Sequence, residues 1–171
     1  MALPRKLKHL NVFIDGDNWV GVAESYTPAK LTRKFEKYRG AGMPGAADID
    51  MGLDDEALAT SFVFGGYEAA LLRKMSEEKV DGVMLRFAGS YQRDDTGEVI
   101  AVEIVQRGRF TERDAGEQKT AESTQVTMNM TNVYYKETVD GENLVEVDVV
   151  NMVEIVNGKD MMAAHRRAIG L

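Results

Sequence analysis

Long segments of alternating residues dominate the second half of the chain and restrict the folds open to it. Pro44 is the last of three prolines, so the strands that follow can be long and unbroken. The segments Val83–Arg93 and Val99–Glu112 flank the turn sequence Asp94–Gly97, a pattern typical of a β-hairpin. At about 3.3 Å per residue, each strand would span about 35–45 Å. Strands of this length extend beyond the core of a small protein, so we expect a partner to cover them.

Shorter alternating segments predict strands along the rest of the chain. The turn sequence Asp15–Asn18 predicts a small hairpin between Leu10–Ile14 and Trp19–Glu24. Leu31–Tyr38 alternates without a purely apolar face, which indicates a strand with no simple core side. In the segment Ser123–Thr138, every second residue from Val126 to Met130 is apolar and expected to face inward. The other predicted strands are Leu58–Phe64, Leu144–Val150 and Val153–Val156.

Two helices and one long loop complete the prediction. Leu71 and Met75 recur at helical spacing within Tyr67–Lys79, which predicts a helix of about three turns. Met161–Ala168 predicts a short C-terminal helix with cations near its end. The segment Arg39–Asp55 is rich in glycine and acidic residues, which indicates a loop. Loops beyond about 12–15 residues are usually functional or disordered. The predicted fold class is mainly β (α+β), with one packed helix and a short C-terminal helix.

Composition excludes several classes of function. A length of 171 residues favours a single domain over residues 1–171. The absence of cysteine excludes disulfides, thiol nucleophiles and zinc sites built from thiolates. Two histidines, His9 and His165, are too few for a histidine-rich metal site, and we expect His9 at the surface and His165 at the surface or an interface. A net charge of −7 disfavours nucleic-acid binding. No apolar segment approaches the roughly 18 residues of a membrane-spanning helix, and the N-terminal segment lacks the apolar core of a secretory signal.

No segment carries a clear catalytic or cofactor-binding pattern. Asp94 and Asp95 lie in a predicted turn, where acidic residues commonly bond to the backbone. The acidic segment Asp48–Glu56 lacks the ligand spacing of a calcium loop. Arg39–Met43 is rich in glycine, but no P-loop lysine follows it. Trp19 is expected in the core or at an interface. We therefore expect no catalytic, cofactor-binding or metal-binding residue, no cofactor and no enzyme activity.

Several segments nevertheless resemble the major tail tube proteins of contractile-tailed (myovirus) temperate bacteriophages. The strongest is Arg86–Glu98, and Tyr38–Met43, Met51–Asp55 and Arg166–Leu171 match as well. The resemblance extends over nearly the whole chain. It implies a structural virion protein whose β-sandwich or barrel-like subunits form hexameric rings. Long hairpins of six subunits would join in a ring-shaped inner β-barrel, and stacked rings would form the conduit for genome ejection into the host cell.

The resemblance also implies partners and a location. The chain would bind copies of itself, the tail sheath protein, and the baseplate and tail terminator proteins. Double-stranded DNA would pass through the lumen without specific binding, and an acidic wall would favour this by repelling phosphate. The protein would not insert into a membrane. It would be assembled in the host bacterial cytoplasm and reside in the virion as the tail tube.

We expect the contacts between subunits and rings to involve charged segments and the predicted long loop. The basic segment Arg5–Lys8 would pair with the acidic segment Asp48–Glu56 of a neighbouring ring, and the loop would become ordered on stacking. The residues expected at these contacts are Arg5, Lys6, Lys8, Tyr38, Arg39, Met43, Asp48, Asp50, Asp54, Asp55, Arg93, Asp94, Asp95, Arg166 and Arg167.

Three alternatives remain open from the sequence. The same architecture would serve as the tube of a headless contractile bacteriocin or of a contractile secretion system. A monomeric β-sandwich binding module, for example for carbohydrate, would need an exposed aromatic platform, which Tyr91, Tyr134 and Tyr135 could supply. A metal-dependent hydrolase using Asp94 and Asp95 is the least favoured.

Overall fold

The computed structural model describes residues 2–171 and confirms a mainly β fold. Most strands belong to one ten-stranded antiparallel sheet, and two form a separate small sheet. The two helices are short, one after the sixth strand and one near the C-terminus. In chain order, the elements of the described residues are β1 (Lys6–Ile14), β2 (Asp17–Asn18), β3 (Ala23–Thr27), β4 (Arg33–Tyr38), β5 (Ala47–Leu53), β6 (Ala59–Phe64), α1 (Ala69–Lys74), β7 (Val83–Gln92), β8 (Val99–Asp114), β9 (Val126–Val139), β10 (Glu142–Asp148), β11 (Val153–Val156), β12 (Lys159–Asp160) and α2 (Ala163–Ala168).

The large sheet folds over on itself around one apolar core. Its main path runs β12-β11-β10-β9-β8-β7-β1-β2, and β6 pairs with the first half of β9 and carries β3. Tyr26 on β3 stacks on Phe62 of β6 at 4.9 Å and lies 4.6 Å from Phe87 of β7. Since β6, β9 and β8 separate β3 from β7 along the sheet, these ring contacts require the sheet to curl. It stays open, because β2 and β12 end the path without pairing with each other.

The long hairpin predicted from alternation is present. β7 and β8 pair from Val83 opposite Gly108 to Gln92 opposite Val99. On β7, Val83, Leu85 and Phe87 are buried, whereas the residues between them point to the other face of the sheet. The inward orientation predicted from Val126 to Met130 on β9 is also confirmed, because Val126, Met128 and Met130 are at most 1% exposed.

The first predicted hairpin is wrong beyond its turn. Asp15 and Gly16 have φ values of +48° and +91°, as a tight two-residue turn requires. The returning strand ends at Asn18, because the backbone turns again: the amides of Val22 and Ala23 both donate to the Trp19 carbonyl. β3 then pairs with β6 instead of β1. Trp19 packs against the core, with its ring edge-on to Phe64 at 5.6 Å.

The predicted three-turn helix is shorter than its sequence pattern. α1 covers only Ala69–Lys74, and Glu68 at its N-cap makes no side-chain capping bond. Leu71 is its only buried residue, so packing stabilises only these six residues, and the rest of the segment is irregular or forms turns. The predicted C-terminal helix is present as α2. No helix in residues 2–171 is long and apolar enough to cross a membrane.

Candidate assembly surfaces

Exposed apolar side chains lie on both faces of a separate hairpin formed by residues 33–53, which we call the arm. The segment 39–55 was predicted to be a loop, and this is wrong for residues 47–53, because they form β5 and pair with β4. Phe35, Tyr38, Ile49 and Met51 on the arm are 46–57% exposed. A lone two-stranded sheet is marginally stable in water, and exposed apolar clusters mark interaction sites. The arm therefore has the properties of an assembly surface.

An arginine with two carboxylate partners, one on the arm and one on the rest of the protein, attaches the base of the arm to that rest, which we call the body. Arg33 on β4 donates from Nε to Asp50 Oδ2 at 2.6 Å and from Nη1 to the carboxylate of Glu154 on β11. Hydrogen bonds from Arg33 and from the Gly52 amide hold the pKa of Asp50 below its ordinary value. Beside this cluster, the Asp54 amide donates to the Thr32 carbonyl at 2.9 Å.

The turn of the arm brings together three of the residues expected at contacts. The Arg39 guanidinium donates to the carbonyl of Met43 at 3.4 Å, and the Gly40 amide donates to Met43 Sδ at 3.1 Å. Tyr38 ends β4 immediately before this turn and is 57% exposed. Lys37 and Asp48 face each other at 3.7 Å with both side chains largely in solvent, so this pair adds little stability.

The basic N-terminal segment pairs with the turn of the β7–β8 hairpin in its own chain. Lys8 Nζ lies 2.9 Å from Asp94 Oδ1, and Arg5 lies 3.2 Å from Glu98. In the same turn, Arg93 lies 2.6 Å from Asp95 and lowers the pKa of that carboxyl to about 2. Within residues 2–171, Lys6, Asp54 and Asp55 take part in no ion pair. Contacts between Arg5–Lys8 and an acidic segment of another copy remain a prediction.

At the C-terminus, Arg166 and Arg167 have different surroundings. Arg166 donates to Asp160 Oδ2 at 2.5 Å and to the Met152 carbonyl at 2.6 Å, so it holds α2 against β12 and against the turn that precedes β11. Arg167 is exposed and donates to the Ala163 carbonyl of its own helix at 3.4 Å. Ile169 and Leu171 beside it are 63% and 74% exposed.

The outer face of the large sheet carries charges of both signs, an arrangement that sequence reasoning missed. Arg86 on β7 pairs with Glu103 on β8 at 2.6 Å. Arg107 lies over the ring of Tyr134 at 5.9 Å, and the Tyr134 hydroxyl donates to Glu146 at 3.0 Å. Burial, together with the Glu146 carboxylate, raises the pKa of Tyr134 to about 12. These residues lie on adjacent strands, and their contacts depend on how the strands align. The order of residues along the chain therefore does not reveal them.

Tyr134 and Tyr135 do not form a shared aromatic platform of the kind a monomeric binding module would need. Tyr134 and Tyr135 are consecutive on β9, so their side chains point to opposite faces. Tyr135 is 1% exposed and belongs to the core, and its hydroxyl donates to Glu137. Residues 2–171 also contain no group of three or more histidine or acidic side chains able to hold a metal ion.

Comparison with known proteins identifies the family. Residues 4–170 match the family described as phage tail tube protein FII. The chain belongs to this family. The resemblance expected from the sequence is thus confirmed, and with it a structural role in place of an enzymatic one.

Two phage proteins are similar along nearly their whole length. The chain is 52% identical over 172 residues to the tail tube protein of Escherichia phage P2, covering 100% of both chains. It is 40% identical over 161 residues to the major tail tube protein of Serratia phage KSP20, covering 94% of this chain and 92% of that protein. A chain in the six-fold symmetrised cryo-EM structure of the anti-feeding prophage baseplate shares the fold, with a TM-score of 0.56 and 8% identity over 81% of this chain and 97% of that one.

Proposed function

We propose that this protein is the subunit of the inner tube of a contractile phage tail, the conduit for genome ejection into the host cell. The observation that carries the proposal is the full-length similarity to the tail tube protein of phage P2, at 52% identity. Subunits form hexameric rings, the rings stack into a tube, and residues 1–171 act as a single tail tube domain. The protein is therefore a structural component of the virion.

The open sheet and the arm support assembly with further copies of the chain. β2 and β12 end the sheet with few paired residues, and the β7–β8 hairpin is long. Closing strands of several subunits into a ring removes exposed edges. The exposed apolar residues of the arm supply a second surface, suited to contact between rings. In this arrangement, most of the residues expected at contacts lie in three places: the N-terminal segment, the β7–β8 turn and the arm.

The proposal extends to partners and place of assembly. The tail sheath protein surrounds the tube, the baseplate and tail terminator proteins contact its two ends, and assembly takes place in the host bacterial cytoplasm. Double-stranded DNA passes through the lumen without specific binding. A wall with paired charges suits this passage, because paired cations have little capacity to hold phosphate.

The sequence alternatives are less well supported. The likeness to the anti-feeding prophage chain, at 8% identity, concerns the fold alone and gives no reason to prefer a headless particle. The similarity to two phage tube proteins favours a phage tail. Capsid and terminase genes beside the coding sequence would distinguish a phage from a headless particle.

Electron microscopy of the purified full-length protein, with analytical ultracentrifugation over a wide concentration range, tests the proposal. We expect six-fold rings or tubes. Uniform monomers at every concentration would contradict it. The double substitution of Phe35→Ser with Ile49→Ser should prevent ring stacking, while Leu72→Ser, an exposed apolar residue on α1, serves as the matched control and should assemble normally.

A further inference from the structure

We propose that Arg33 is a clamp that holds the arm at the angle needed to dock on another copy of the chain. It does so by joining Asp50 of the arm to Glu154 of the body. This inference rests on the proposed function, and it assigns to one side chain the positioning of the assembly surface.

The geometry of Arg33 suits it to two partners at once. Its Nε donates to Asp50 Oδ2 at 2.6 Å, and its Nη1 donates to Glu154 Oε1. A guanidinium is planar and presents its donors in a fixed fork, so the two bonds constrain the position of one carboxylate relative to the other. Asp50 lies on β5 and Glu154 on β11, so the fork joins the two sheets.

Glu154 explains why one arm position is preferred. It is 7% exposed and lies on β11 between β10 and β12. Within residues 2–171, Arg33 is the one cation that pairs with it. A buried carboxylate without a partner is strongly unfavourable, so the body favours the arm orientation in which Arg33 reaches Glu154.

Leu53 packs on the core and the Asp54 amide bonds to Thr32 at the root of the arm, but the packing beyond this root leaves the angle of the arm less defined. A groove of about 650 Å³ lies between the arm and α2, and four of its eleven lining residues are methionines. Methionine side chains are flexible and fit many shapes, so they allow the arm to move. The methionines of this groove are Met51, Met152, Met161 and Met162.

The distance between spin labels on the arm and on the body tests the clamp in the unassembled protein. The chain has no cysteine, so cysteines introduced at Glu36 on the arm and Lys159 on β12 are labelled uniquely. We expect a narrow distance distribution in the otherwise unchanged protein and a broad or shifted one with Arg33→Met. Lys34→Met is the matched control, because Lys34 is exposed and adjacent, and it should leave the distribution narrow and at the same distance. A distribution with Arg33→Met that is equally narrow and centred at the same distance would overturn the clamp.

Assembly supplies the second measurement. Unlabelled Arg33→Met should need at least about a tenfold higher subunit concentration to form tubes, equivalent to about 1.4 kcal/mol per docking event. Lys34→Met should assemble like the unmodified protein. The proposal would be contradicted if Arg33→Met formed tubes at the same subunit concentration as the unmodified protein. If the unmodified protein forms no tubes, the proposed function fails, while the label distances still decide whether Arg33 holds the arm.

Arg33→Met leaves Glu154 without a partner, and this could destabilise the body. A variant that removes both charges keeps the test decisive in that case. The double variant Arg33→Met with Glu154→Leu removes both charges, and such replacements are often neutral for stability. We expect its melting temperature to be retained and its distance distribution to be broad. A narrow distribution in this folded variant would also overturn the clamp.

Discussion

Gly108 lies on β8 where β9 forms a bulge, and the backbones are too close there for any side chain. A Cβ atom at this position would lie 2.0 Å from the Thr131 carbonyl oxygen and 2.7 Å from Asn132 Cα. The pairing register between β8 and β9 shifts at this point. Glycine is therefore required at position 108 because β9, which is distant in sequence, leaves no space for a Cβ atom.

We predict that Gly108→Ala destabilises the protein by about 1–3 kcal/mol or more, because β8 and β9 must separate locally. Urea unfolding followed by circular dichroism measures the change. Gly66→Ala is the control, since nothing lies within 4 Å of a Cβ there, and it should change stability by less than about 0.5 kcal/mol. Equal stability of the two variants would contradict the close approach of the strands.

Asp95 provides a residue-level prediction of pH dependence. Its pKa falls from 3.8 to about 2, chiefly because Arg93 donates a hydrogen bond to it, aided by the Leu3 amide. A carboxyl with a lowered folded-state pKa stabilises the fold above its unfolded pKa, and this contribution is lost as pH falls towards 2. We predict that Asp95→Asn lowers the melting temperature at pH 5 but has little effect near pH 2. Asp55→Asn, without an ion pair in residues 2–171, should show no such difference. A melting-temperature loss for Asp95→Asn that is the same at both pH values would refute this role.

At the level of elements, the body could be predicted better than the arm. The β7–β8 hairpin and β9 were recognised because one face of each packs on the core, which selects alternating apolar residues. β5 was missed because its residues alternate between acidic and apolar without a buried side, and the preceding glycines and Pro44 resemble a loop. The sequence predicts Trp19–Glu24 beside β1 because turn signals are local, whereas the pairing of β3 with β6 depends on Tyr26 packing between Phe62 and Phe87.

We predict that the body folds without most of the arm. None of the fully buried apolar residues of the core lies within residues 35–50, so replacing this segment by a short Gly-Ser linker should shift the melting temperature by less than about 4 °C. The same variant should form no tubes. Phe62→Ala is the contrast: it removes a core ring and should cost about 3–5 kcal/mol. Loss of folding in the linker variant would show that the arm is part of the body.

At the level of the whole molecule, charge distribution and exposed strands make self-assembly the central property. The chain carries a net charge of −7, yet its N-terminal segment is basic and its arm base is acidic. In one subunit, Arg5 and Lys8 are paired with the β7–β8 turn, whereas Asp54 and Asp55 take part in no ion pair within residues 2–171. We propose that these two carboxylates meet basic residues of a neighbouring ring.

Charge reversal of Asp54→Lys with Asp55→Lys should shorten or abolish tubes, measured by electron microscopy and sedimentation. The neutral pair Asp54→Asn with Asp55→Asn should have a smaller effect, because it removes attraction without adding repulsion. Higher salt should weaken assembly of the unmodified protein and narrow the difference among the variants, since exposed charges are screened over about 8–10 Å. Unchanged tubes after charge reversal would exclude these residues from the contact.

The sequence alone determined the mainly β character, the long β7–β8 hairpin, the inward side of β9 and the family. The first three depend on local periodicity, and the family depends on short segments of consecutive residues. Only the tertiary structure decided that β3 pairs with β6, that Gly108 must remain glycine, and that Arg33 links the arm to Glu154. These features join residues far apart in the chain, and no local pattern encodes a contact whose energy depends on both partners. The arm shows this most clearly, because its base is held by Glu154, 121 residues further along the chain than Arg33.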